Sequence, residues 1–358
     1  MKKIVLTGGG TAGHVTPNIA LLPALQAAGY EIAYVGSYEG IEKKLIADFN
    51  IPYTGISTGK FRRYLDPKNF SDPFRVMKGF VEARNYLKNY QPDVVFSKGG
   101  FVSVPVVRAA ASLHIPCIIH ESDMTPGLAN KLCIPVAEKV CCNFPETMKN
   151  IPADKAVLTG SPIRAELAEG SKLAGLNMCG FTANKPVIMV IGGSLGAANV
   201  NKAVRDALPK LLEDFQVVHL CGKDKIDNLL LNTPGYKQFE YIKAELKDIF
   251  AMADVVISRA GANAICELLA LKKPNILIPL PAASSRGDQL LNAASFEAQG
   301  YSIVLNEDDI TTNLLVDKVH ELYFIRQNYV DAMSKSHQMD AVKTIMELIN
   351  AAADKKTN

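Results

Sequence analysis

The chain has 358 residues, of which 48% are hydrophobic and 21% charged. This is ordinary globular composition, and it excludes disorder, collagen and coiled coil as descriptions of the whole. The length suits two domains, each able to bury a core. With 39 Lys+Arg against 36 Asp+Glu the net charge is only +3, so no nucleic-acid partner is indicated and any electrostatic partner must be met by a local patch.

Taken in order, Ile4-Val5-Leu6 reads as a short buried strand stopped by Gly8-Gly9-Gly10. Val15 to Ala28 carries helical spacing, and Gly29 terminates it. A strand at Ile32–Val35, a helix from Ile41 to Phe49 and strands at Val94–Phe96 and Cys117–Ile119 follow, with a helix from about Val104 to Leu113 between the last two. Alternation of this kind predicts a parallel sheet covered on both faces. At Ser161–Arg164 the pattern breaks, and the polar, Gly-containing stretch from Glu166 to Lys185 reads as a linker. The alternation then restarts with a strand at Val187–Ile191, Gly192-Gly193, and a helix from about Ala198 to Leu212. Strands are predicted at Val217–Leu220, Val255–Ile257 and Ile276–Ile278, and closing helices at about 311–322 and 339–352. The expected division is 1–164 and 165–335.

Seven scattered cysteines without a C-x-x-C pair point to a reducing compartment and to no zinc site. The apolar run after Lys2-Lys3 is too short for a signal peptide, and no stretch is long enough to span a membrane. These features predict a protein on the cytoplasmic side.

Gly8-Gly9-Gly10-Thr11-Ala12-Gly13 fits G-x-G-x-x-G between a strand and a helix, a device that brings backbone N–H groups close to an anion. A dinucleotide cofactor would also need an acid at the end of the second strand, and that strand ends Val35-Gly36-Ser37 without one. No cofactor is therefore expected. The second half repeats the device at Gly192-Gly193-Ser194-Leu195-Gly196-Ala197. Polar groups recur after strand ends: Ser97-Lys98-Gly99-Gly100-Phe101, His120-Glu121-Ser122-Asp123, and Ser258-Arg259-Ala260-Gly261-Ala262-Asn263. Ligands of open α/β sheets bind at those ends, although Ser103 and Asn263 also read as helix caps. With no H-E-x-x-H and no Asp-x-Asp pair, no metal site is indicated. A diphosphate would be met by helix ends, hydroxyls and Arg, with Arg164 and Ser194 as candidates. His14, beside the first Gly loop, is a candidate general base.

These segments, together with Thr16-Pro17, Gly160-Ser161-Pro162-Ile163-Arg164, Glu267, Asp288-Gln289 and Asn292-Ala293, resemble the MurG family. Its members are bacterial transferases that add N-acetylglucosamine to the lipid-linked muramoyl-pentapeptide of peptidoglycan synthesis, which bears on cell shape and division. The resemblance runs in family order from residue 3 to about 300. It implies a GT-B fold of two Rossmann-like domains facing across a cleft, with a last helix (about 336–358) returning to the first domain. It implies UDP-N-acetylglucosamine as donor and an inverting, metal-independent transfer to the acceptor's C4 hydroxyl. Arg164, Ser194, Ile242, Ala262, Asn263, Glu267 and Gln289 would bind the donor. Thr11, Ala12, Gly13 and Asp123 would lie on the first-domain side, with His14 and then Glu121 as the candidate bases. Ala12, Asp123 and Ala264 depart from residues common among relatives.

An acceptor anchored in lipid implies docking of a peripheral protein on the cytoplasmic face of the membrane, where other cell-wall synthesis proteins would be partners. Residues 60–88 hold Lys60, Arg62, Arg63, Lys68, Arg75, Lys78, Arg84 and Lys88 against Asp66, Asp72 and Glu82, interleaved with Phe61, Tyr64, Leu65, Phe70, Phe74, Val76 and Met77. That mixture suits an anionic membrane surface, while Phe80 and Val81 read as packing on the sheet. The alternatives are a glycolipid synthase with a diacylglycerol acceptor, a UDP-sugar 2-epimerase, and a nucleotide-sensing module without chemistry.

Overall fold

The computed structural model describes residues 1–59, 68–192, 197–282, 287–336 and 340–357, with the side chains of 68–71 and 356–357 left aside. The chain forms two compact units, Met1–Arg164 with Asp340–Asn358, and Ala165–Met339.

The first unit runs β1 (Lys3–Thr7), α1 (Thr16–Ala27), β2 (Glu31–Ser37), α2 (Ile41–Ile46), β3 (Tyr53–Ile56), α3 (Lys68–Tyr90), β4 (Val94–Ser97), α4 (Ser103–Ser112), β5 (Cys117–Glu121), α5 (Leu128–Cys133), β6 (Lys139–Cys142), α6 (Pro145–Met148) and β7 (Ala156–Leu158). The second runs α7 (Lys172–Cys179), β8 (Val187–Ile191), α8 (Ala198–Asp214), β9 (Gln216–Leu220), β10 (Tyr236–Phe239), α9 (Leu246–Met252), β11 (Val255–Ser258), α10 (Ala262–Ala270), β12 (Asn275–Leu277), α11 (Asp288–Ala298), β13 (Ser302–Val304), α12 (Thr312–Phe324) and α13 (Arg326–Ser334). The last helix, α14 (Ala341–Thr357), belongs to the first unit.

Both sheets are parallel, in the orders β3-β2-β1-β4-β5-β6-β7 and β10-β9-β8-β11-β12-β13. Two Rossmann-like parallel sheets are the pair that a GT-B protein is built from. Their central strands are apolar on both faces because helices cover both. Val5, Val95 and Ile119 pack under α3 and α4, while Ile4, Leu6, Phe96 and Ile118 pack under α1 and α14. Ile345, Ile349, Ala352 and Ala353 of α14 are buried there. Each isoleucine contributes about 1.5–3 kcal/mol by leaving water. Tyr30 Oη donates to Asn350 Oδ1 at 2.8 Å, and Lys2 pairs with Asp354 at 2.6 Å.

One expectation is corrected. The Glu166–Lys185 stretch is no linker: it holds a 3₁₀ turn at Ala165–Ala168 and helix α7, and it belongs to the second unit. A Cβ at Gly170 would fall on Lys247 O, and one at Gly175 on Asp248 O. Those glycines let α7 approach α9 closely. Ser171 caps α7 with a bond from Ala174 N–H at 3.3 Å.

Candidate functional site

In each sheet the strand order reverses between two neighbours, β1/β4 in the first and β8/β11 in the second. In open α/β sheets the loops leaving such a pair of strands run to opposite faces, and the crevice at their carboxyl ends is where ligands bind. Each pair of loops is Gly-containing.

At the first switch point the loop after β1 packs on the loop after β4. Lys98 N–H donates to Thr7 O at 2.9 Å. Gly100 has φ +83°, and a Cβ there would fall on Gly9 O and lie 3.0 Å from the His14 ring. Tyr34 Oη donates to Gly8 O at 2.6 Å, and Asn18 Nδ2 donates to Thr7 O at 3.1 Å. Thr11 and Ala12 are exposed and Gly13 is half-buried. Ala12–His14 form a 3₁₀ turn, closed by His14 N–H to Thr11 O at 3.1 Å. His14 therefore sits just before α1, which begins at Thr16 with Pro17 in its first turn.

Two imidazoles and an ammonium gather here. Lys98 is buried, and its Nζ donates to Ser122 Oγ. His120 is fully buried with Nε2 2.9 Å from Gly160 O. Burial and then the Lys98 charge push His14 down to about 4 and hold His120 well below the usual imidazole range. Both rings are neutral at pH 7. His14 Nδ1 is sealed from solvent without a well-formed hydrogen bond.

Glu121 is occupied differently. Its Oε1 accepts from Asp123 N–H at 2.9 Å, and its Oε2 accepts from Gly127 N–H at 3.1 Å and Asn130 Nδ2 at 2.8 Å. Burial raises its carboxyl, against those bonds and Lys98. The carboxylate clamps the turn from Ser122 to Gly127. Asp123, half-buried within that turn, accepts at its backbone O from Thr147 Oγ1 at 3.1 Å. Ser103 is no side-chain cap: its Oγ donates back to Gly99 O at 2.8 Å.

At the second switch point, Ser194 and residues 193–196 lie outside the described residues. After β11, α10 starts at Ala262 with Gly261 as its cap, so Asn263 is its second residue and not its cap. Among the described residues, a Cβ at Gly261 would meet nothing within 4 Å, so that side of the helix entrance is open. Ala262, Asn263 and Glu267 are half-buried on that helix. Gln289 Oε1 accepts from Leu280 N–H at 3.1 Å, and Asn292 Nδ2 donates to Ala260 O at 3.1 Å, so α11 braces the turns after β12 and β11. Ile242 is buried just beyond β10, beside exposed Tyr241. Arg164 is half-buried at the end of the first unit.

Three features escape a linear reading. Arg259 looks like an anion ligand in sequence, yet it is buried, donates to Ile278 O at 3.0 Å and pairs with Glu307, which also accepts from Asn199 Nδ2 at 2.6 Å. It ties the ends of β11 and β12 to the start of α8. Lys98 shows no sign of burial in sequence. Glu42, one turn into the chain after Ser37, returns its carboxylate to the end of β2, where no acid stands in the strand itself. Its Oε1 accepts from Ser37 N–H at 3.0 Å and its Oε2 from Gly10 N–H at 3.2 Å. The N–H that would hold a dinucleotide phosphate at that point already has an anion.

Known proteins share this plan. The profile of a glycosyltransferase family 28 N-terminal domain matches residues 4–142, and that of a glycosyltransferase family 28 C-terminal domain matches residues 187–349. The UDP-N-acetylglucosamine--N-acetylmuramyl-(pentapeptide) pyrophosphoryl-undecaprenol N-acetylglucosamine transferase of Lachnospira eligens is 65% identical over 349 residues, 98% of this chain and 99% of that protein. The crystal structure of Acinetobacter baumannii MurG is similar at a TM-score of 0.77 and 29% identity, covering 98% of this chain and all of that one (100%). The UDP-GlcNAc 2-epimerase of Neisseria meningitidis, solved with UDP-GlcNAc bound, is similar at 0.68 and 14% identity over 97% of this chain and 99% of its own, a likeness of fold alone.

Proposed function

The chain belongs to glycosyltransferase family 28, and from that premise we propose that it moves N-acetylglucosamine from UDP-N-acetylglucosamine to the C4 hydroxyl of a lipid-linked, diphosphate-bearing muramoyl-pentapeptide. One observation carries the reading: a relative whose name states that donor and that acceptor is 65% identical to it from end to end.

The first unit takes the acceptor. Its hydroxyl attacks the anomeric carbon from the side opposite UDP, the C–O bond to UDP breaks, and the configuration inverts. His14 takes the hydroxyl proton. Its ring is uncharged at neutral pH, because burial and Lys98 disfavour the imidazolium. Acceptor diphosphate beside Lys98 offsets that ammonium, which raises the basicity of His14 in the complex. Glu121 serves as the clamp of the neighbouring turn, since its oxygens already hold three donors.

The second unit takes the donor. The start of α10 presents its first-turn amides and a positive dipole end to the diphosphate. Arg164 and Ser194 add a cation and a hydroxyl. Ile242 meets the uracil, Glu267 accepts from the ribose, and Gln289 supports the sugar from α11. Charge on departing UDP is met by these fixed donors, with no cofactor and no metal in the scheme.

The protein docks on the cytoplasmic face of the membrane as a peripheral protein. Among the described residues no helix is long and apolar enough to cross a membrane. Of the basic stretch, Lys60, Phe61, Arg62, Arg63, Tyr64, Leu65 and Asp66 lie outside the described residues. On α3, Phe74, Met77 and Val81 are exposed at 78%, 65% and 50%, at helical spacing beside Arg75 and Lys78. Val81 is therefore on the surface and not against the sheet, whereas Phe80 packs on the core. Such a stripe inserts at a headgroup boundary while its cations meet anionic lipid, at about 1 kcal/mol per cation.

The test is acceptor dependence. UDP release from UDP-N-acetylglucosamine should require a short-chain lipid-linked muramoyl-peptide. Equal release with a diacylglycerol acceptor, or with none, defeats the proposal.

A further inference from the structure

Glu42 is buried at 0% exposure and, among the described residues, makes no ion pair. A buried carboxylate without a cation is costly unless donors surround it. Here they do. Beyond Gly10 N–H and Ser37 N–H, Ser37 Oγ donates to the same Oε1 that Ser37 N–H reaches. The chain is shaped around the group: a Cβ at Gly9 would lie 2.5 Å from the Glu42 carboxyl carbon, and one at Gly36 would lie 2.8 Å from its Cγ.

We propose that Glu42 is a positioning residue of the first site, the built-in anion of the Gly8–Gly13 loop, whose hold on Gly10 N–H sets the turn that carries His14. Gly10 has φ +86°, and a Cβ there would lie 2.5 Å from Phe101 Cε1, so the loop is pinned between Glu42 and the loop after β4. The 3₁₀ turn starts two residues later and ends at His14. A free N–H at Gly10 would be an anion site in its own right. With Glu42 in place, substrate phosphate is left to the amides further along, at Thr11 and Ala12. The effect on turnover rests on the transfer reading above; the effect on the loop does not.

The experiment uses the full chain with Glu42→Ala and Glu42→Gln, read by transfer kinetics, donor KM and melting temperature, with sodium formate against sodium chloride at equal ionic strength. Displacing a base by about 1 Å costs on the order of 100-fold in rate. Glu42→Ala should therefore lose about 100-fold in kcat with donor KM within about twofold. Formate, filling the vacated carboxylate position, should recover at least about tenfold of that loss and raise the melting temperature of the variant, with neither effect on the wild type. Glu42→Gln keeps the volume but turns an amide NH₂ toward one of the two backbone N–H groups. It should lose at least about tenfold in kcat, and it decides the matter if Glu42→Ala does not fold. Wild-type kcat in either folded variant overturns the proposal. So does formate acting no better than chloride. Formate that restores melting but not turnover overturns the positioning of His14. If the wild type transfers nothing, the functional reading has failed, and the melting arm alone decides whether Glu42 is the anion of the loop.

Discussion

Removing the Glu121 carboxylate separates a clamp from a catalyst. Glu121→Ala leaves three donors without their acceptor: Asp123 N–H, Gly127 N–H and Asn130 Nδ2, at 2.9, 3.1 and 2.8 Å. A bond to a charged acceptor is worth about 1.5–3 kcal/mol. The variant is also relieved of a buried carboxylate, whose desolvation is the leading influence on Glu121. Taking about 1 kcal/mol net per bond gives about 3 kcal/mol of lost stability in the first unit. At about 2–4 °C per kcal/mol for a unit of this size, its melting should fall by about 6–12 °C. Turnover measured well below that melting point should fall mainly through acceptor KM, because the turn from Ser122 to Gly127 loosens. The assay pairs a calorimetric melt with steady-state kinetics at 15 °C. A Glu121→Ala protein that melts within 2 °C of wild type while kcat collapses would refute the clamp and put the carboxylate on the substrate.

The contrasting variant, His14→Ala, should lower kcat by about 10²–10⁴ with little change in UDP affinity, since the proton moves only as the hydroxyl attacks; unchanged turnover by the same assay removes His14 from the chemistry. With its folded value near 4, against 6.5 for an ordinary imidazole, His14 stays neutral down to about pH 5, so the acid limb of kcat/KM for free enzyme should lie near pH 4 and not near 6.5. The sign for stability follows: the unfolded chain takes up protons first, so stability falls as pH drops from about 6.5 toward 4, and urea melts should show a shallower fall in His14→Ala. Activity should survive EDTA; full loss restored by Mg²⁺ would mean that a metal neutralises the diphosphate. Gly175→Ala drives a methyl onto Asp248 O, where α7 meets α9, and should cost the second unit about 1–3 kcal/mol in a denaturant melt.

Much of this architecture is legible in the chain because central parallel strands must be apolar on both faces. Ile4-Val5-Leu6, Val94-Val95-Phe96 and Val187–Ile191 are such runs, each ending in a polar or glycine turn at the crevice. Two of the sheet edges, β3 and β10, leave no such run. An edge strand is covered on fewer sides, and Tyr236-Lys237-Gln238-Phe239 alternates buried and exposed positions. Gly170 and Gly175 mislead for a different reason. Glycine marks either a loose chain or a close approach, and only the position of α9 decides between them. In the site, His14 and the Gly loops announce themselves by following strands. Lys98 and Arg259 follow strands too, but their structural roles, like that of Glu42, are not legible, because they depend on which backbone amides, carbonyls or side chains the fold carries to them. Glu121 is visible as an acid in a polar cluster, but its three partners lie two to nine residues further on and appear only when the turn closes.

The most direct test of the central claim is the linkage made. Purified protein, UDP-N-acetylglucosamine and a short-chain lipid-linked muramoyl-pentapeptide should yield one product, heavier by one N-acetylhexosamine, with the new bond at C4 of the muramoyl sugar and in the β configuration by NMR. An α linkage, a sugar placed elsewhere, or conversion of the donor to its 2-epimer with the acceptor untouched would contradict the account.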